Sequence, residues 1–88
     1  MLYALICRDR PGALPTRMEN RPAHVEYLGR GGVVIAGPFI EDGNPVGSLV
    51  VIEAESRAAA EAWAAGDPYA LAGLFETVEI REWRKVIG

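Results

Sequence analysis

Three short runs of this chain are apolar at odd and even positions alike: Leu2–Cys7, Val33–Ala36 and Val50–Ile52. An extended segment points successive side chains to opposite faces, so a run of this kind needs cover on both sides. A sheet built from such runs has one face for helices and a second face for something else. That requirement shapes every fold open to the chain.

The first strand is expected over residues 2–8 and ends in the charged turn Arg8-Asp9-Arg10-Pro11-Gly12. A short helical turn is expected over 13–19, with Pro15 near its start, and the main first helix over about Arg21–Arg30. Asn20 reads as its N-cap, and Pro22 sits in the first turn, where a missing N–H costs nothing. Met18, Val25 and Leu28 supply an apolar stripe, with His24 at its edge, and Gly31-Gly32 stops the helix. Val33–Ala36 is the second strand, closed by Gly37-Pro38, and residues 47–54 form the third. The intervening Glu41-Asp42-Gly43-Asn44-Pro45 carries hairpin chemistry, so these strands are predicted to be antiparallel. The second helix spans about 57–65, capped by Ser56, with Ala60, Trp63 and Ala64 on its buried side. Gly66 closes it, Asp67-Pro68 opens a further segment, and the last strand runs from Leu74 to Trp83.

The order is β-α-β-β-α-β, an α+β, ferredoxin-like arrangement. Two helices cover one face of four strands. The other face, apolar on three of them, is an association surface. Two chains are therefore expected to pack sheet to sheet, closing or half-closing a barrel between them.

Composition narrows the partners. With 88 residues there is room for one core and one domain. A net charge of -3 gives no electrostatic footprint for nucleic acid and disfavours anionic membranes. No stretch reaches the length of a membrane span, and the apolar start lacks a basic leader, so a cytoplasmic location is expected. Cys7 and His24 each occur once, which excludes an intrachain disulfide and a closed zinc site. Cys7 reads as a small buried strand residue.

The candidates for chemistry are few. An imidazole titrates near neutrality, and a carboxylate partner fixes its tautomer, so His24 with Asp67 would make a general acid/base pair. Asp67 before Pro68 also has the form of a helix cap; one carboxylate oxygen can cap while the other accepts from the ring. His24 on a helix edge reads equally as a surface histidine. Arg17 and Arg21 are candidates to receive a carboxylate or oxyanion, or else form a solvated helix face. Ser48 either binds a substrate oxygen or opens its strand. Tyr69 either donates to a ligand or packs, and Trp63 and Trp83 read as core or subunit contacts.

Taken together, several short stretches carry a resemblance. They are Arg21-Pro22-Ala23-His24, Ala36-Gly37-Pro38, Gly47-Ser48, Ala62-Trp63, Asp67-Pro68-Tyr69, Ala72-Gly73 and Lys85-Val86. In this order and spacing, and behind the apolar first strand, they resemble the YciI-like (YCII-related) family of the dimeric α+β barrel group. The resemblance runs nearly end to end and implies one YCII-related domain over 1–88. It implies a homodimer or a higher assembly of dimers, and a histidine–aspartate pair in a cleft. Those roles fall on His24 and Asp67, with Ser48, Tyr69, Arg17 and Arg21 near the cleft as substrate-binding residues. The family includes a dehydrochlorinase acting on a chlorinated hydroxyquinone and is similar to muconolactone isomerases. The implied function is a cofactor-independent lyase or isomerase acting on a small carbonyl or phenolic compound. The alternative is an accessory domain that binds a small ligand without turning it over. The connections at Tyr27–Arg30 and Glu41–Pro45 are more compact than the family pattern, which reshapes the pocket mouth.

Overall fold

The computed structural model describes residues 1–88. Its elements in chain order are β1 (Leu2–Asp9), α1 (Leu14–Leu28), β2 (Val33–Glu41), β3 (Asn44–Glu53), α2 (Arg57–Ala65), the short α3 (Pro68–Leu71) and β4 (Phe75–Trp83). The strands form one antiparallel sheet in the order β2-β3-β1-β4. This is the ferredoxin-like arrangement expected from the sequence, with α3 as an added turn before the last strand.

Strand register sorts the side chains. On β1, Tyr3, Leu5 and Cys7 pair across with Ile52, Val50 and Ser48 of β3. Tyr3, Leu5, Cys7, Val50 and Ile52 join Ala60 of α2 in the buried core. Leu28, Trp63, Phe75 and Ile80 pack at its margin. Alternation sends Leu2, Ala4, Ile6, Leu49 and Val51 to the opposite face, which no helix covers. Ala4 and Val51 are hidden among their neighbours, but Ile35 (53 %), Phe39 (41 %) and Trp83 (39 %) stay open.

The β2–β3 hairpin is longer than the sequence indicated. Both strands run to a two-residue turn at Asp42-Gly43, where both residues have positive φ, 50° and 79°. Asp-Gly meets this requirement because glycine has no Cβ penalty there and Asp tolerates it. Gly37-Pro38 does not end β2; Pro38 lies within it, on an edge strand that tolerates a missing N–H.

The largest departure is α1. The sequence pointed to a short turn and a separate helix capped by Asn20. Instead one helix of 15 residues runs through both, entered from Ala13 with Pro15 in its first turn. Asn20 caps nothing: its Nδ2 donates to the Thr16 carbonyl one turn back, at 2.9 Å. Pro22 therefore lies inside the helix, on its exposed side. Of the expected apolar stripe only Leu28 packs inward, at the core margin; Met18 and Val25 face outward, 53 % and 46 % exposed. The buried residues of α1 are Arg17 and His24. A helix that turns polar side chains into its fold needs fixed partners for them.

Candidate functional site

Those partners come from three other segments. Asp9 continues the Tyr3-Leu5-Cys7 alternation onto the helix side, at the end of β1. There it takes Arg17 in a two-pronged ion pair, Nε to Oδ2 at 2.6 Å and Nη2 to Oδ1 at 2.9 Å. Arg17 Nη2 also donates to Ser48 Oγ on β3 at 2.9 Å. Burial by itself would lower the Arg17 guanidinium, but the hydrogen bonds and charge of Asp9 outweigh it and hold it above its ordinary value.

Seven residues along the same helix, His24 Nδ1 lies 2.8 Å from Asp67 Oδ1, with both side chains buried. An ionised carboxylate only accepts, so Nδ1 carries a proton, and in the neutral ring the lone pair falls to Nε2. Nε2 has no partner within the chain, yet no fully buried side-chain nitrogen or oxygen is left unpartnered. Nε2 therefore keeps contact with solvent. Asp67 is also the N-cap of α3, and the same Oδ1 accepts from the Tyr69 backbone N–H at 2.9 Å. The sequence reading divided these two bonds between two oxygens; one oxygen takes both.

The cap holds Tyr69 in place. Its ring is stacked on the His24 imidazole, with centroids 3.8 Å apart and planes 12° apart, and the Arg17 guanidinium carbon lies 4.6 Å from its centroid. Phe75 meets its edge. Burial raises the Tyr69 phenol above its ordinary value, partly offset by the charges of Arg17 and Arg21. Cys7, beside this cluster, has its thiol pushed up to about 12, first by burial and then by Asp67, so it stays neutral.

Of the residues singled out in the sequence, His24, Asp67, Tyr69, Arg17 and Ser48 are thus gathered on the helix side of the sheet. Ser48 lies well inside β3 rather than opening it, and bonds to Arg17, not His24. Arg21 is exposed and enters no hydrogen bond or ion pair in the chain. Asp9 was passed over as turn punctuation; its signal was the period-two continuation of β1. A cleft of about 880 Å³ lies at the sheet end between the β1–α1 turn and the hairpin. Asp9 and Cys7 line it, but His24, Asp67 and Tyr69 do not.

The element order and the single four-stranded antiparallel sheet define a ferredoxin-like α+β protein. Residues 1–84 match the YCII-related domain. The chain belongs to the YCII-related family. It is 37% identical to the protein YciI of Escherichia coli O6:H1 over 97 aligned positions, covering 98% of this chain and 99% of that one. Among solved structures it is similar to the 5-chloro-2-hydroxyhydroquinone dehydrochlorinase of Burkholderia phenoliruptrix AC1100, determined in complex with 2,5-dihydroxybenzoquinone. That similarity has a TM-score of 0.87 at 32% identity and covers 96% of this chain and 94% of the other. An antibiotic biosynthesis monooxygenase shares the fold at a TM-score of 0.57 and 16% identity, over 97% of this chain and all of that one. No helix is long and apolar enough to cross a membrane.

Proposed function

We propose that the chain is a cofactor-independent lyase or isomerase that moves protons on a small phenolic or carbonyl compound, with His24 as the base and Asp67 behind it. The observation that carries this reading is the 2.8 Å buried contact of His24 Nδ1 with Asp67, which leaves Nε2 as the free nitrogen. Likeness to a dehydrochlorinase solved with a dihydroxybenzoquinone supports the substrate class.

The chemistry is balanced without a redox partner. Nε2 accepts a proton from a ring hydroxyl as the carbonyl forms, and the imidazolium is stabilised by the Asp67 charge. The proton is returned to a ring carbon, giving the keto tautomer; with no leaving group the net reaction is isomerisation. Where that carbon bears a halide, removal of a second hydroxyl proton expels the halide with its bonding pair, and HX is lost. In this proposal the Tyr69 hydroxyl and Arg17, held by Asp9 and Ser48, orient oxygens of such a ring.

The functional unit in this proposal is a homodimer, or an assembly of dimers, closed over the open sheet face carrying Ile35, Phe39 and Trp83. A side chain that is about half exposed on an apolar sheet face gains from such burial.

The test is turnover of halogenated hydroxyhydroquinones by the native chain and by His24→Gln, read as halide release, with light scattering for mass. Loss of halide release in His24→Gln at unchanged mass is the expected result. If 2,5-dihydroxybenzoquinone raises Tm while neither chain releases halide, the proposal fails and a binding module takes its place.

A further inference from the structure

Arg21 has no part in the reaction proposed above, and no group of the chain answers its charge. Elsewhere the chain sets a glutamate one helical turn from an arginine, pairing Glu26 with Arg30 and Glu61 with Arg57. The positions one turn from Arg21 hold Arg17, Met18, His24 and Val25, none of them acidic. Like charges at the spacing of Arg17 and Arg21 destabilise a helix.

The helix places this lone cation beside the buried cluster. At about 100° per residue, His24 lies about 20° to one side of Arg17 and Arg21 about 40° to the other. Arg21 therefore stands at the rim, where the buried side of α1 meets solvent. Tyr69 packs against both Arg17 and His24, the residues one turn before and after Arg21. Within the cluster Asp9 matches the charge of Arg17, and beside a neutral His24 the charge of Asp67 is left over. Without Arg21 the site is net negative and repels anions; with it the site is neutral. Two almost buried side chains also keep polar atoms free there. His24, 7 % exposed, has Nε2 unpartnered, and Tyr69, 1 % exposed, donates its O–H to no group of the chain.

We propose that the site takes its ligand as an anion and that Arg21 receives the ionised oxygen. The inference rests on the reading of His24 as base and narrows its substrate class to acidic phenols and hydroxyquinones already ionised at one oxygen. The charged oxygen accepts from the Arg21 guanidinium, and a remaining hydroxyl is the one whose proton passes to His24 Nε2. That transfer leaves the total charge of the site unchanged and needs no co-reactant. Arg17 does not supply this charge, because its Nε and Nη2 are engaged with Asp9 and Ser48.

Binding to the full-length chain tests this. The anionic probe is 2,5-dihydroxybenzoquinone, a vinylogous acid ionised at neutral pH; the neutral probe is 2,5-dimethoxybenzoquinone, which has no acidic oxygen. Kd is measured by titration calorimetry for the native chain, Arg21→Gln, Arg21→Lys and Arg84→Gln, the last removing the same charge from the segment after β4. Arg21 bonds to nothing in the chain, so every variant is expected to keep the native Tm. Arg21→Gln is expected to weaken the anionic probe roughly 10- to 100-fold and to leave the neutral one unchanged. Arg21→Lys should fall between, and Arg84→Gln should match the native chain. An unchanged Kd in Arg21→Gln, equal weakening of both probes, equal weakening by Arg84→Gln, or a native chain that does not bind the anion overturns the inference. Halide release judges the reaction separately. Release with an unchanged Kd in Arg21→Gln removes Arg21 and keeps the base; the Kd contrast without release keeps Arg21 as anion receptor and removes the reaction.

Discussion

Asp67 performs two tasks through one atom, and substitution separates them. In Asp67→Ala, α3 loses its N-cap, a change that costs about 1 kcal/mol. The same substitution leaves the buried Nδ1–H of His24 without an acceptor, at about 1–3 kcal/mol. The two losses sum to about 2–4 kcal/mol, and for a domain of this size Tm falls by roughly 4–8 °C per kcal/mol, or roughly 8–30 °C. Asp67→Asn retains an Oδ1 that can accept from both N–H groups, so its stability is expected within about 1 kcal/mol of the native chain. It removes the charge that would stabilise a protonated His24. Urea unfolding followed by Trp fluorescence gives the two stabilities, and halide release gives the activity. The expected pattern is a crippled fold in the alanine variant and a sound fold with little turnover in the asparagine variant. Equal stability of both variants with the native chain would refute the shared role of Oδ1. Full activity in Asp67→Asn would refute the electrostatic one.

Removing Asp9 strands a buried guanidinium, so Asp9→Ala is expected to cost about 3–5 kcal/mol. Asp9→Leu with Arg17→Met should recover much of this in a double-mutant cycle, whereas additive losses would deny the coupling. A Cβ on Gly47 would lie 2.5 Å from the Cys7 carbonyl oxygen. Gly47→Ala is therefore expected to lose about 1–3 kcal/mol in urea unfolding as the β1–β3 ladder shifts. The Cys7 thiol is raised from 9.0 to about 12, so above pH 9 the unfolded chain holds fewer protons than the folded one. Stability should then fall by about 1 kcal/mol between pH 9 and 10, steepening toward about 1.4 kcal/mol per pH unit between pH 10 and 11, and Cys7→Ala should lack that part of the slope. At pH 7 this contribution is fully present and flat. Ile35→Asp on the open face is expected to shift the light-scattering mass to that of one chain if the proposed dimer forms there.

The strands and α2 were legible because their signals are local. Apolar runs, Asp42-Gly43 and the Ser56 cap each act within a few residues, and Ser56 does accept from the Ala59 N–H. The first helix misled for a physical reason. Pro22 and Asn20 read as a boundary because proline in a helix interior removes a backbone bond and Asn competes for backbone donors. Long-range anchors outweighed both: Arg17 is tied to Asp9 and Ser48, and His24 to Asp67, 43 residues away. No periodicity in Met18, Val25 and Leu28 reveals that a helix buries its charged side. The His24–Asp67 contact was expected from the YciI-like resemblance, not from spacing. The part of Asp9 became visible only when β1 was seen to carry its alternation one residue into the charged turn.

The sheet has two edges, and neither invites a further strand. On β2, Pro38 has no N–H to offer and the register breaks at Val34, while β4 carries Glu76, Glu79, Arg81 and Glu82. Such features block growth along the hydrogen-bonding direction. A chain with so apolar a face would otherwise be a candidate for filaments. With its rims closed to strand addition, the open face is the surface left to the association proposed above.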